Sequence, residues 1–172
     1  MSYTISEYDP TWPIKFAEIK KVFSEVFGTK ALKIEHVGST SIPGMKAKPL
    51  IDVLILVNSI DDLENEKQKA RELGYEVREK VLTPQSILFE KRINGVKTEN
   101  IHVFEESDKS EQFLVMKEYY LTHPEIVKQY EDLKEELYKK FPDSYESYRE
   151  GKQEFLKETE QLAREWKKNT KS

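Results

Sequence analysis

The chain has 172 residues, enough for one domain with a core of useful size, and carries 28 Lys and Arg against 32 Asp and Glu for a net charge of −4. That balance supplies no global basic field for nucleic acid, so any anionic ligand has to be met locally. The absence of cysteine removes disulfides, thiolate metal sites and cysteine nucleophiles together, as suits a reducing compartment.

The opening MSYTISEYDP lacks the basic-then-apolar pattern of a secretion signal, and the longest apolar stretch, 50–57, is too short to span a bilayer. A cytoplasmic protein with no membrane contact is the expectation. Ile14, Phe16, Ile19, Val22, Phe23 and Val26 recur at three- and four-residue steps, which predicts a core-facing helix over 14–27, begun at Pro13 and ended by Gly28. ALKIEHV then reads as a strand entering a Gly-Ser turn. PLIDVLILV, apolar on both faces, reads as a central strand. A helix over 60–73, capped by Ser59 or Asp61 with Leu63 and Leu73 inward and closed by Gly74, returns through YEVREKV.

SILFEKRI and VKTENIHVF flank Asn94-Gly95, the dipeptide of a two-residue type I′ hairpin. A regular ladder pairs Ile93 with Val96, Lys91 with Thr98, Phe89 with Asn100 and Ile87 with His102 on one face, leaving Leu88, Ile101 and Val103 on the other. Beyond residue 110 the pattern turns helical. One helix stops at His123-Pro124, a second runs from Pro124 with Val127, Tyr130, Leu133, Leu137 and Phe141 on its apolar face, and a last one starts near Ser144. The plan is α+β: a mixed sheet of about five strands flanked by helices, in a single domain over 1–172. Its α/β core covers about 1–107 and its C-terminal helices about 108–172.

The chemistry concentrates in HVGSTSIPGMKAKPLIDVLILV. Small residues at Gly38, Ser39, Thr40 and Ser41 let a backbone turn approach a ligand, and their amides and hydroxyls can donate to phosphate oxygens. Lys46 and Lys48 offer cations. Asp52 interrupts an apolar strand, where an unpaired carboxylate is costly to bury. His102, and His36 before the turn, are the histidines placed to share its pocket as an acid-base set, and Asp52 with His102 could instead hold a transition metal. His123 reads as a capping or turn residue. The late tyrosines and Trp166 read as helix packing.

A hydrophobic residue, Gly and Ser, then twelve residues, then a strand opening on Asp resembles the signature of the nucleotidyltransferase fold. More closely, YDPTWP, IEHVGSTSIPGMKAKPLIDVLI, NIHVFE, EYYLTHPEIVKQYEDLKEEL and YREGKQEF, in that order, resemble the GrpB family over nearly the whole chain. The family is also similar to a domain fused behind dephospho-coenzyme A kinase in some bacteria. The resemblance implies a nucleotidyltransferase-like sheet and a phosphorylated small-molecule ligand, a nucleotide or a coenzyme A-like compound, with a divalent ion as candidate cofactor. It adds Lys117 and Lys152 to Lys48 as phosphate-binding candidates. The chain departs from the nucleotidyltransferase pattern at Leu54, where a second metal-binding carboxylate belongs, and the strand around His102 supplies none. Two-metal nucleotidyl transfer is therefore disfavoured. An Asp/His transferase or hydrolase, and a non-catalytic module that docks a protein partner, are the alternatives.

Overall fold

The computed structural model describes residues 3–170. Five strands form one mixed sheet in the order β1-β2-β5-β4-β3: β1 (Lys33–Val37), β2 (Ile51–Val57), β3 (Glu76–Glu79), β4 (Ser86–Ile93) and β5 (Val96–Glu105). Only β2 and β5 run parallel, and the other neighbours are antiparallel. The mixed sheet, flanking helices and helical C-terminal segment match the expected α+β plan.

Helix α1 (Trp12–Phe27) covers one face of the sheet. Trp12, Ile19, Phe23 and Phe27 are its buried residues, so the stripe is rotated from the expected one and Ile14 and Val22 face solvent. The burial of Trp12, two residues before the expected stripe, and of Phe27, one residue after it, sets that rotation. Helix α2 (Glu64–Glu72) begins four residues later than expected, because Ser59 Oγ accepts from the Asp61 amide in a local turn and does not cap a helix. Leu63 is buried as expected, whereas Leu73 is exposed.

The hairpin turns at Asn94 (φ +51°) and Gly95 (φ +80°), the paired positive dihedrals of type I′. The ladder is not regular. Arg92 pairs with Lys97 but Lys91 pairs with Glu99, so Thr98 is an extra residue in β5 and the register beyond it shifts by one. Phe89 therefore opposes Ile101, and Leu88 opposes His102. The bulge puts Ile87, Phe89, Ile101 and Val103 together against α1, and gives the opposite face to Leu88, Glu90, Asn100 and His102.

Helix α3 (Asp108–Thr122), with Ser107 and Ser110 in a reciprocal cap, lays Phe113 and Leu114 over Val37, Leu54 and Phe104 on that second face. Helix α4 (Pro124–Lys140) follows. The expected last helix is two: α5 (Tyr145–Gly151) and α6 (Gln153–Thr170), broken at Lys152. A Cβ at Gly151 would sit 2.4 Å from Leu137 Cδ2, so the α4–α5 approach requires glycine there. No helix among the described residues is long and apolar enough to cross a membrane.

Candidate functional site

The site lies on the α3 face of the sheet, at the turn between β1 and β2. Gly38 (φ +75°) and the 3-10 turn Ser39–Ser41 carry the chain over the start of β2. A Cβ on Gly38 would lie 2.7 Å from Asp52 Oδ2, so only glycine lets the turn rest against that carboxylate. Register places Val37, Asp52, Asn100 and Glu90 in one row across four strands, with Leu54 and His102 in the next.

His102 reaches diagonally to Asp52: its Nε2 lies 3.0 Å from Asp52 Oδ1 and donates to it. The ring packs against Phe113 at 5.0 Å between centroids, and Nδ1 is buried without a protein partner. With Nε2 engaged and Nδ1 sealed, the imidazole orients the Asp52 carboxylate through that hydrogen bond; it presents no free nitrogen to the cavity.

His36 is not part of this cluster. It pairs with Val53, so it points to the α1 face, where it stacks on Phe16 at 4.9 Å and its Nε2 meets Thr40 Oγ1 at 2.9 Å. Strand alternation decides this: Val37, not His36, shares a face with Asp52. Burial, aided by Lys117, drops the His36 pKa to about 4, so the ring is neutral at pH 7.

The turn hydroxyls divide. Thr40 donates to the Leu50 carbonyl at 3.2 Å and Ser41 to the Gly38 carbonyl at 2.5 Å, so both secure the turn. Ser39 meets the Tyr130 hydroxyl and lines a cavity of about 110 Å³ together with Thr40, Asp52, Lys48, Lys134 and Lys152. Each of the three amines sits over a tyrosine ring: Lys48 over Tyr145 at 4.1 Å, Lys134 over Tyr130 at 4.3 Å and Lys152 over Tyr148 at 4.7 Å. None of the three is in an ion pair among the described residues. Desolvation, with Lys152 nearby, pulls the Lys134 amine down to about 7. Desolvation and Lys48 pull Lys152 down to about 8, and Lys48 is lowered by desolvation and by Lys97 and Arg92. Lys134 also donates to the Lys46 carbonyl. The Lys46 amine itself turns outward to Glu7 at 3.4 Å.

Lys117 stands apart from this cavity. It pairs with Glu35 at 3.8 Å and lines a neighbouring cavity between α3, α4 and α6. Lys134, Tyr145 and Tyr148 are site residues that sequence reasoning did not select. The signal for Lys134 was present: it is four residues after Tyr130 and three before Leu137, on the apolar stripe of α4, where a lysine is out of place.

A divalent ion does not fit these residues. Among the described residues no three His, Asp or Glu side chains converge, Leu54 is fully buried at the second carboxylate position, and three amines face the space a cation would enter.

This is an α+β domain with a Gly-Ser turn closed over a strand aspartate and a lysine-lined cavity beside it. It belongs to the GrpB family, whose description, GrpB protein, matches residues 2–162. The UPF0157 protein YqkA of Bacillus subtilis is 36% identical over 162 residues, covering 94% of this chain and 47% of YqkA. The crystal structure of the conserved protein GrpB from Enterococcus faecalis superposes with a TM-score of 0.86 at 28% identity, over 93% of this chain and 96% of that one. A 70-residue stretch is 33% identical to part of a dephospho-CoA kinase of Mycobacterium tuberculosis, covering 39% of this chain and 17% of the kinase. The chain spans about half the length of the first curated relatives it matches.

Proposed function

We propose that the domain binds a phosphorylated small molecule, a nucleotide or a coenzyme A-like compound, with its phosphoryl group among Lys48, Lys134 and Lys152 beside Ser39. One observation carries this reading: three amines without ion-pair partners among the described residues, Lys134 buried and Lys48 and Lys152 half-buried, converge on a 110 Å³ cavity in a chain whose net charge is −4. Burying such amines unpaired is costly, and an anion relieves the cost. A phosphoryl group offers oxygens to several donors at once, and its contacts strengthen in a desolvated cavity. The partial likeness to a dephospho-CoA kinase supports phosphate chemistry without choosing the compound.

Metal-assisted nucleotidyl transfer has no support in the donor set. Acid-base catalysis by the Asp52–His102 pair is disfavoured by the sealed imidazole. A purely protein-docking role calls for a broad apolar face on the late helices, and the exposed large apolar side chains there, among the described residues, are Leu121 and Leu162.

Calorimetry across inorganic pyrophosphate, AMP, ATP, dephospho-coenzyme A and 4′-phosphopantetheine tests the reading. At least one binds the native chain at pH 7, and Lys134→Met or Lys152→Met weakens it by roughly tenfold or more, the size of a lost charge-assisted hydrogen bond. Binding by none of them, or binding indifferent to both substitutions, removes the proposal.

A further inference from the structure

The lysine cavity has a neighbour. On the other side of Ser39 and Tyr130 lies a second cavity of about 250 Å³, walled by Phe113, Met116, Tyr120 and Leu156. Ser39 lines both spaces, and the Tyr130 hydroxyl meets Ser39 between them. The two walls differ in chemistry: one is cationic, the other aromatic and aliphatic.

The second cavity has an aromatic wall. Tyr120 is 8% exposed and its hydroxyl is buried with no protein partner. Its ring stacks with Tyr130 at 5.8 Å and 19°, which fixes where the hydroxyl points. Met116 supplies a wall that can adapt to a planar group, and Gln112 at the rim adds a donor and an acceptor.

We infer that the ligand has two parts, a phosphoryl group on the lysines and a flat heteroaromatic ring in the cavity between α3, α4 and α6. The inference rests on the phosphate reading above and adds to it the chemical class of the second moiety. Aromatic walls favour a ring face, and the donor and acceptor of Gln112 at the rim favour a ring bearing a heteroatom over a hydrocarbon one. Lys117, paired with Glu35 at the same cavity, belongs to the rim of this ring site and not to the phosphate site.

Calorimetry with ribose 5-phosphate and AMP separates the two parts, because the probes share the sugar phosphate and differ by the ring. AMP is expected to bind roughly tenfold tighter or more, the worth of one base stacked on an aromatic wall. Leu156→Trp, which fills the ring cavity, then erases the AMP advantage and leaves ribose 5-phosphate affinity unchanged. Gln112→Leu, which removes the rim donor and acceptor at similar size, weakens AMP about fivefold and spares ribose 5-phosphate. Equal affinity for the two probes overturns the ring site and leaves the phosphate reading standing. Binding by neither overturns both. An AMP advantage that survives both substitutions places the ring elsewhere and overturns this inference alone.

Discussion

Gly38 holds a φ of +75° directly above the Asp52 carboxylate, and both facts demand glycine. Gly38→Ala strains the backbone and drives a methyl group into Oδ2, so a loss of about 1–2 kcal/mol of stability is expected by thermal or urea unfolding, with weaker ligand binding. Lys134 yields a second prediction at this scale. Its folded pKa, about 7, lies below the ordinary lysine value near 10.5, so the unfolded chain binds more protons between those values. Stability therefore rises as pH climbs from about 7 towards 10, and below about 7 the native state carries the full penalty of a buried ammonium. Lys134→Met flattens that rise, and a urea-unfolding series at pH 7, 8 and 9 reads it directly. The same residue marks a limit of sequence reading. Asp52 and His102 were legible as partners because their strands were, whereas the place of Lys134 on the apolar stripe of α4 marks it as unusual without saying what it faces until α4 is docked.

Elements decide which residues can meet. The hairpin was readable from Asn94-Gly95, but the bulge at Thr98 was not, because no single residue there forbids regular pairing; the preference emerges only when Phe89 and Ile101 compete for the face under α1. His102 nonetheless faces Asp52, since the shift moves β4 past β5 and leaves the β2–β5 register intact. His36 was misplaced for a simpler reason. Two residues before Gly38, His36 looks close to the Gly-Ser turn in sequence, yet alternation sends its side chain to the far face, where it stacks on Phe16. The break at Lys152 was hidden by continuous helical periodicity, and it has a consequence for the site because Lys152 lines the cavity and Gly151 precedes it. Gly151→Ala collides with Leu137 and is expected to cost roughly 1–3 kcal/mol of overpacking. Shifting Lys152 also weakens phosphate binding, whereas the double variant Gly151→Ala/Leu137→Ala recovers part of the affinity, as calorimetry on the pair can show.

Across the whole molecule the charge distribution matters more than its sum. The chain is acidic on balance, and the proposed anion site gathers one buried and two half-buried lysines over Tyr130, Tyr145 and Tyr148 between the sheet and α4–α6. The N-terminal segment helps fix that arrangement: Ser6 bridges to Ala47, and the Tyr3 hydroxyl donates to the Phe141 carbonyl at 2.8 Å. The late helices therefore build half of the site, and the strands contribute Asp52 and the Gly-Ser turn. Ribose 5-phosphate affinity as a function of pH tests this most directly, because a phosphate monoester, with a second pKa near 6, keeps a constant charge above about pH 7. Lys134 and Lys152 lose their protons through about 7 and 8, so affinity is expected to fall roughly tenfold or more between pH 7 and 9.5, with a shallower fall in Lys134→Met. Affinity that stays level or rises over that range would contradict a phosphate site built from these lysines.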